Sequence, residues 1–199
     1  MMLVEQTTVP SAALPVAEFK DHLRLGSGFA DDGVQDSVLE SYLRASVAAI
    51  EARTGKVLIA RTFSWTLTGW RDLSRQALPV APVLSLAEVK ITDRFGAETI
   101  VDPQRYRLEL DTQRPRLVSI GLHLPLIPVH GSAEITFVAG YGPDWDALPA
   151  DLGQAVFLLA AHFYEHRGGM GSGERVMPFG VSLLIDRYRT VRLFGEGAR

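Results

Sequence analysis

A chain of 199 residues can build one substantial hydrophobic core, or a core that carries a large insertion. Its 47% hydrophobic and 22% charged residues are those of a globular protein, and a net charge of −3 gives no global drive toward nucleic acid or anionic membrane. With no cysteine, disulfides, thiol nucleophiles, iron–sulfur clusters and Cys-ligated zinc are excluded.

In chain order, the opening Met1-Met2-Leu3-Val4-Glu5-Gln6 lacks the basic and apolar blocks of a secretory signal. No apolar run reaches the roughly 20 residues of a membrane-spanning helix, so no membrane association is expected. Residues 1–14, with Thr7-Thr8-Val9-Pro10-Ser11 and no helical period, read as an extended or mobile arm. A short helix near 15–25 follows, with Pro15 suited to its first position and Val16, Phe19 and Leu23 spaced by three and four. The next helix, 32–54, is stronger. Asp31 and Asp32 can cap it, Val34, Val38, Leu39, Tyr42, Leu43, Val47 and Ile50 share one face, and Gly55 suits a left-handed C-terminal cap.

Between 57 and 142 the period falls to two, as in Phe63, Trp65 and Leu67 alternating with Thr62, Ser64 and Thr66, so this stretch reads as a β-rich insertion. Further strands are expected at 87–92, 106–110, 117–122 and 133–139, divided by turn-forming segments at 93–96, 111–113 and 130–132. Pro149 and Asp151 then open a helix over 149–167 that is apolar nearly all round, and such a helix must be buried, against the helix at 32–54. A glycine-rich hinge spans 168–180. The last helix, 181–194, places Val181, Leu184, Ile185, Tyr188 and Val191 on one stripe, with Leu183 and Phe194 nearly opposite and Arg187 and Arg189 flanking. Two apolar faces after a hinge favour a docking element over core. The class is therefore α+β: a helical core with a β-rich insertion.

His162-Phe163-Tyr164-Glu165-His166 matches the H-x-x-E-H pattern of inverted zinc proteases, on a helix where the two histidines share a face. A zinc site also needs a third ligand and an open position, and downstream only Glu174, Asp186 and Glu196 are available, so capping of the helix end is the favoured reading and no metal is assigned. The glycines at 168–173 lack the Gly-Lys-Ser/Thr ending of a phosphate loop and follow a helix. Trp65, Trp70 and Trp145 read as core because no basic residues interleave with them.

Several short segments, in order, resemble the head–tail connector (adaptor) proteins of long-tailed bacteriophages and of phage-like gene transfer agents. They are Val16-Ala17-Glu18-Phe19-Lys20-Asp21-His22-Leu23-Arg24, Ile50-Glu51-Ala52-Arg53-Thr54-Gly55, Leu78-Pro79-Val80-Ala81-Pro82-Val83, Ile135-Thr136-Phe137-Val138-Ala139-Gly140-Tyr141-Gly142, and Leu148-Pro149-Ala150-Asp151 leading to Ala160-Ala161-His162-Phe163-Tyr164-Glu165. The resemblance covers about residues 15–167. It implies a non-enzymatic structural subunit of a homo-oligomeric ring, commonly a dodecamer, in the neck of a virion or phage-like particle assembled in the bacterial cytoplasm. The ring would dock on the portal protein, continue the DNA channel without sequence-specific binding, and meet a stopper or tail-completion protein. The implied portal dock is the C-terminal helix and tail, 181–199, with Val181, Leu183, Leu184, Arg187, Tyr188, Arg189, Arg192, Leu193 and Phe194 as its candidate contacts. The alternatives are another neck or tail-tube component (a stopper or tail terminator), a zinc-dependent hydrolase using His162, Glu165 and His166, and a DNA-binding packaging accessory using Arg187, Arg189 and Arg192.

Overall fold

The computed structural model describes residues 1–25, 35–166 and 177–189. In chain order the elements are β1 (Met2–Glu5), α1 (Val16–His22), α2 (Asp36–Thr54), β2 (Arg61–Leu67), β3 (Arg75–Ala77), β4 (Val83–Thr92), β5 (Glu98–Ile100), β6 (Tyr106–Glu109), β7 (Arg116–Ser119), β8 (Ser132–Ala139), α3 (Ala150–Glu165) and α4 (Phe179–Ile185). This is the expected α+β class, with β2 to β8 lying between the helical segments and β1 ahead of them.

The strands form two antiparallel sheets, one ordered β1-β2-β8-β4-β5 and the other β3-β7-β6. Strand alternation decides their inner faces. Phe63, Trp65 and Leu67 of β2 lie beside Phe137, Ile135 and Ala133 of β8, and all six are buried. Leu117 of β7 and Tyr106 of β6 enter the same cluster, so the core of the insertion fills the space between the two sheets. Asp93 turns β4 into β5 by accepting the Phe95 and Ala97 amides at 2.8 and 2.9 Å.

The helices bury a second cluster. Leu39, Leu43, Val47 and Ile50 of α2 pack with Leu152, Ala155, Val156 and Leu159 of α3, as the all-round apolar character of α3 requires. Gly55 ends α2 at φ 69°, its amide donating to Glu51 O at 2.8 Å. The chain crosses between the cores at 56–61, where Val57 joins the sheet cluster and Leu58 and Ile59 the helical cluster. Gly140 closes this crossing at φ 142°, and a Cβ there would stand 2.4 Å from Ala60 Cα.

Three expectations change. The arm is extended, one of the two readings it was given, but it is not free: Met2–Glu5 pairs with β2 as an edge strand, and Val9, Ala13 and Leu14 are buried in the helical core. Its pairing partner lies some 60 residues away, beyond the reach of local periodicity. The short strands β3 and β5 were absent from the expected set because three residues carry no measurable period. The final helix does not run over 181–194 as one unit: α4 covers Phe179–Ile185, a 3-10 turn covers Asp186–Tyr188, and Arg189 is extended at φ −69° and ψ 128°. The Asp31 and Asp32 caps, the glycine run at 168–173 and residues 190–199 lie outside the described residues.

Candidate functional site

The C-terminal segment begins at Pro178, whose fixed φ leads directly into α4. The stripe read from the sequence turns inward. Val181 and Ile185 are fully buried and Tyr188 is 8% exposed, all three within the helical core against α3. Val181 and Tyr188, expected as docking contacts, therefore seat the segment on its own protein, and Leu184 is half-buried beside them. The opposite face stays open, with Leu183 65% and Phe179 83% exposed. Phe179 was missed by sequence reasoning because the helix was started two residues too late. Its position after Pro178 was the available signal.

At the described end of the segment charged groups join the packing. Asp151, in the first turn of α3, accepts the Tyr188 hydroxyl at 2.7 Å through Oδ1 and pairs with Arg187 at 2.7 Å through Oδ2. Arg187 also donates to the Tyr188 hydroxyl and lies over its ring, 4.7 Å from the centroid. Asp151, expected only to help open the helix at 149–167, thus also ties α4 to α3. Tyr141 borders this group, and its hydroxyl is pushed up to about 12, first by burial and then by the neighbouring Tyr188 and Asp151. Burial likewise raises Tyr188. Arg189 sits 3.3 Å from Asp186 and is exposed. Arg192, Leu193 and Phe194 lie outside the described residues.

The H-x-x-E-H segment ends α3. The rings of His162 and His166 are tilted by 39° with centroids 4.2 Å apart, and His166 Nδ1 lies 2.9 Å from the His162 carbonyl, which closes the last turn. Glu165 is exposed. Among the described residues no group of three or more histidines and carboxylates could hold a metal ion, so these residues do not complete the ligand set a zinc hydrolase requires.

No protein-family model matches the sequence, and neither does any curated protein. Among the solved structures that match, three are similar over nearly the whole chain. A chain in the neck of an empty GTA particle, computed with C6 symmetry, is 55% identical, covers 98% of this chain and 99% of its own, and superposes with a TM-score of 0.89. A chain in the virion of the native gene transfer agent (GTA) particle is 54% identical at the same coverage, with a TM-score of 0.87. A chain in the neck of the native GTA particle, computed with C12 symmetry, is 50% identical over 98% and 99% of the two chains, with a TM-score of 0.85.

Proposed function

This chain belongs to the neck proteins of gene transfer agent particles, and we propose that within the neck it is the head–tail connector: a structural, non-catalytic subunit of a closed ring that docks on the portal, continues the DNA channel and meets the stopper or tail-completion protein. The carrying observation is the identity of 50–55% across the full length of chains solved in GTA necks. At that identity the core and the subunit surfaces are expected to be shared. A twelve-membered ring obeys both C6 and C12 symmetry, and this supports a dodecamer.

A cyclic ring needs two different, complementary patches on each subunit, because a heterologous contact closes only at one rotation. The portal dock is assigned to the open face of the C-terminal segment, Leu183, Arg187 and Arg189, extended by Phe179; the further candidate contacts Arg192, Leu193 and Phe194 lie outside the described residues. Val181, Leu184 and Tyr188 hold that face in place. The exposed Leu183 and Phe179 suit a partner surface that is apolar at its centre.

Electron microscopy of the protein mixed with the portal of the same particle tests the proposal. A twelve-membered ring on the narrow end of the portal is the expected image. A ring that binds only a tail component would reassign the chain as a stopper or tail terminator, and a protein that forms no ring in either mixture would overturn the reading.

A further inference from the structure

The solvent face of the five-stranded sheet is polar in the middle and apolar at its two margins. Strand register puts Met2, Thr66, Glu134, Lys90 and Ile100 in one row, one residue from each of β1, β2, β8, β4 and β5. Paired residues share a face, so these five side chains stand side by side. The centre of the row is tied up in polar contacts. Glu134 accepts the Ser64 hydroxyl at 2.6 Å and lies 3.5 Å from Lys90, which also pairs with Glu98 at 3.1 Å. The two ends of the row are large, apolar and open, Met2 being 61% and Ile100 64% exposed.

A sheet edge that faces water carries the opposite pattern, with charge, proline or a bulge on the edge strand. Over Met2–Val4 β1 has none of these, and it pairs with β2 without a register shift. Its one charge, Glu5, lies 3.1 Å from Arg61. The outer backbone of β1 is open as well: Gln6 donates to Thr62 O at 2.8 Å, and bonding alternates along an antiparallel pair, so the amides of Leu3 and Glu5 point away from β2. At the other margin Ile100 is accompanied by Phe95 of the β4–β5 turn, 78% exposed. Where β5 does not cover β4, that strand is guarded by register shifts between Val83 and Ser85 and between Leu86 and Glu88.

The two apolar margins differ from each other and lie on opposite sides of the sheet, about 19 Å apart across four strand spacings. A subunit of a closed ring needs such a pair, because copies of itself grip it on two sides through two different surfaces. Apolar contact poor in charge is also the chemistry of permanent interfaces between identical chains. We infer that these margins are the two halves of the ring contact, with Met2 and Val4 on the β1 edge of one copy covered by Ile100 and Phe95 on the β5 edge of the next. The inference rests on the ring proposed above and adds which surfaces close it.

The chain has no cysteine, so introduced cysteines can be cross-linked without background. Complexes of the full-length variant M2C/I100C with the portal, treated with a bis-maleimide too short to span the sheet, are expected to give a ladder of covalent oligomers on a denaturing gel. M2C alone and I100C alone are expected to stay monomeric, because equivalent positions of neighbouring copies do not meet. In parallel, M2K/V4K should keep the thermal midpoint of the parent, since both side chains reach solvent, yet lose the rings seen on the portal by electron microscopy, and adding I100E should restore rings. Rings of M2C/I100C without a ladder, or cross-linking of either single variant, overturn the inference. So does a normal ring of M2K/V4K, including one that has instead lost its stopper or tail-completion protein, which would assign the β1 edge to that partner. A parent chain that forms no ring removes the assembly role and this inference with it, whereas rings without a ladder remove the inference alone.

Discussion

Glu51→Ala tests how the helical core, the β insertion and the N-terminal strand are joined. Glu51 sits in the last turn of α2 with its side chain 14% exposed. Its Oε1 accepts the Leu58 amide at 2.7 Å and Arg61 Nη1 at 3.1 Å, while Oε2 takes Arg61 Nη2 at 2.8 Å. Arg61 is 7% exposed, and its remaining carboxylate neighbour, Glu5 of β1, lies 3.1 Å from Nε but is misaligned for a hydrogen bond. Removing Glu51 leaves a buried guanidinium on one half-exposed partner and a buried amide without its acceptor. Breaking such a pair costs about 3–5 kcal/mol, and the remaining Glu5 places the expected loss near the lower end, about 3 kcal/mol. For a chain of this size that is a fall of roughly 6–12 °C in Tm. Urea unfolding at neutral pH measures it. Replacing both partners with apolar residues, Glu51→Leu with Arg61→Met, should recover most of the loss, because no charge is then left buried. A single-variant loss below about 1 kcal/mol, or a double variant no better than the single, would refute the reasoning.

Gly140→Ala combines a positive φ with a Cβ placed against the Ala60 backbone, and should cost upwards of about 3 kcal/mol, read as a lowered urea midpoint or loss of soluble folded protein. Tyr141 binds its proton more tightly when folded than unfolded, so its contribution to stability is intact below pH about 10 and is lost as pH rises toward the folded value of about 12. Tyr141→Phe should therefore make stability fall less steeply across that alkaline window, with no change near neutrality, as seen in urea titrations at each pH. Truncation after Arg189 should weaken portal binding in a pull-down and leave the thermal midpoint unchanged. Deletion from residue 175 should also lower the midpoint, because it removes Val181, Ile185 and Tyr188 from the helical core.

Elements with enough residues to show a period were legible in the sequence. The Leu39, Leu43, Val47 and Ile50 row of α2, its stop at Gly55, the alternation of β2 and the buried character of α3 appear in the structure as read, whereas Val38, expected on the same face of α2, is exposed and Val34 lies outside the described residues. Elements made by distant partners were not. The strand at Met2–Glu5 exists because β2 offers it an edge, and the division of the insertion into two sheets depends on pairings such as Arg75 with Val118, far apart in the chain. The candidate dock shows the same limit. The stripe of Val181, Ile185 and Tyr188 was correctly placed on one face, but period cannot tell a face that meets α3 from one that awaits a partner.

From the sequence alone came the α+β class, the helical brackets around a β-rich middle and the likeness to neck connectors, since helical and strand periods and ordered motifs are local properties of a chain. The tertiary structure decided which faces are used up. Packing against α3 and the Asp151 bonds spend the inner stripe of the C-terminal segment, leaving Phe179, Leu183 and the arginines exposed, and strand pairing alone sets Met2 and Ile100 at the two ends of one row. Both outcomes depend on groups brought together from distant positions, and no window of sequence contains them.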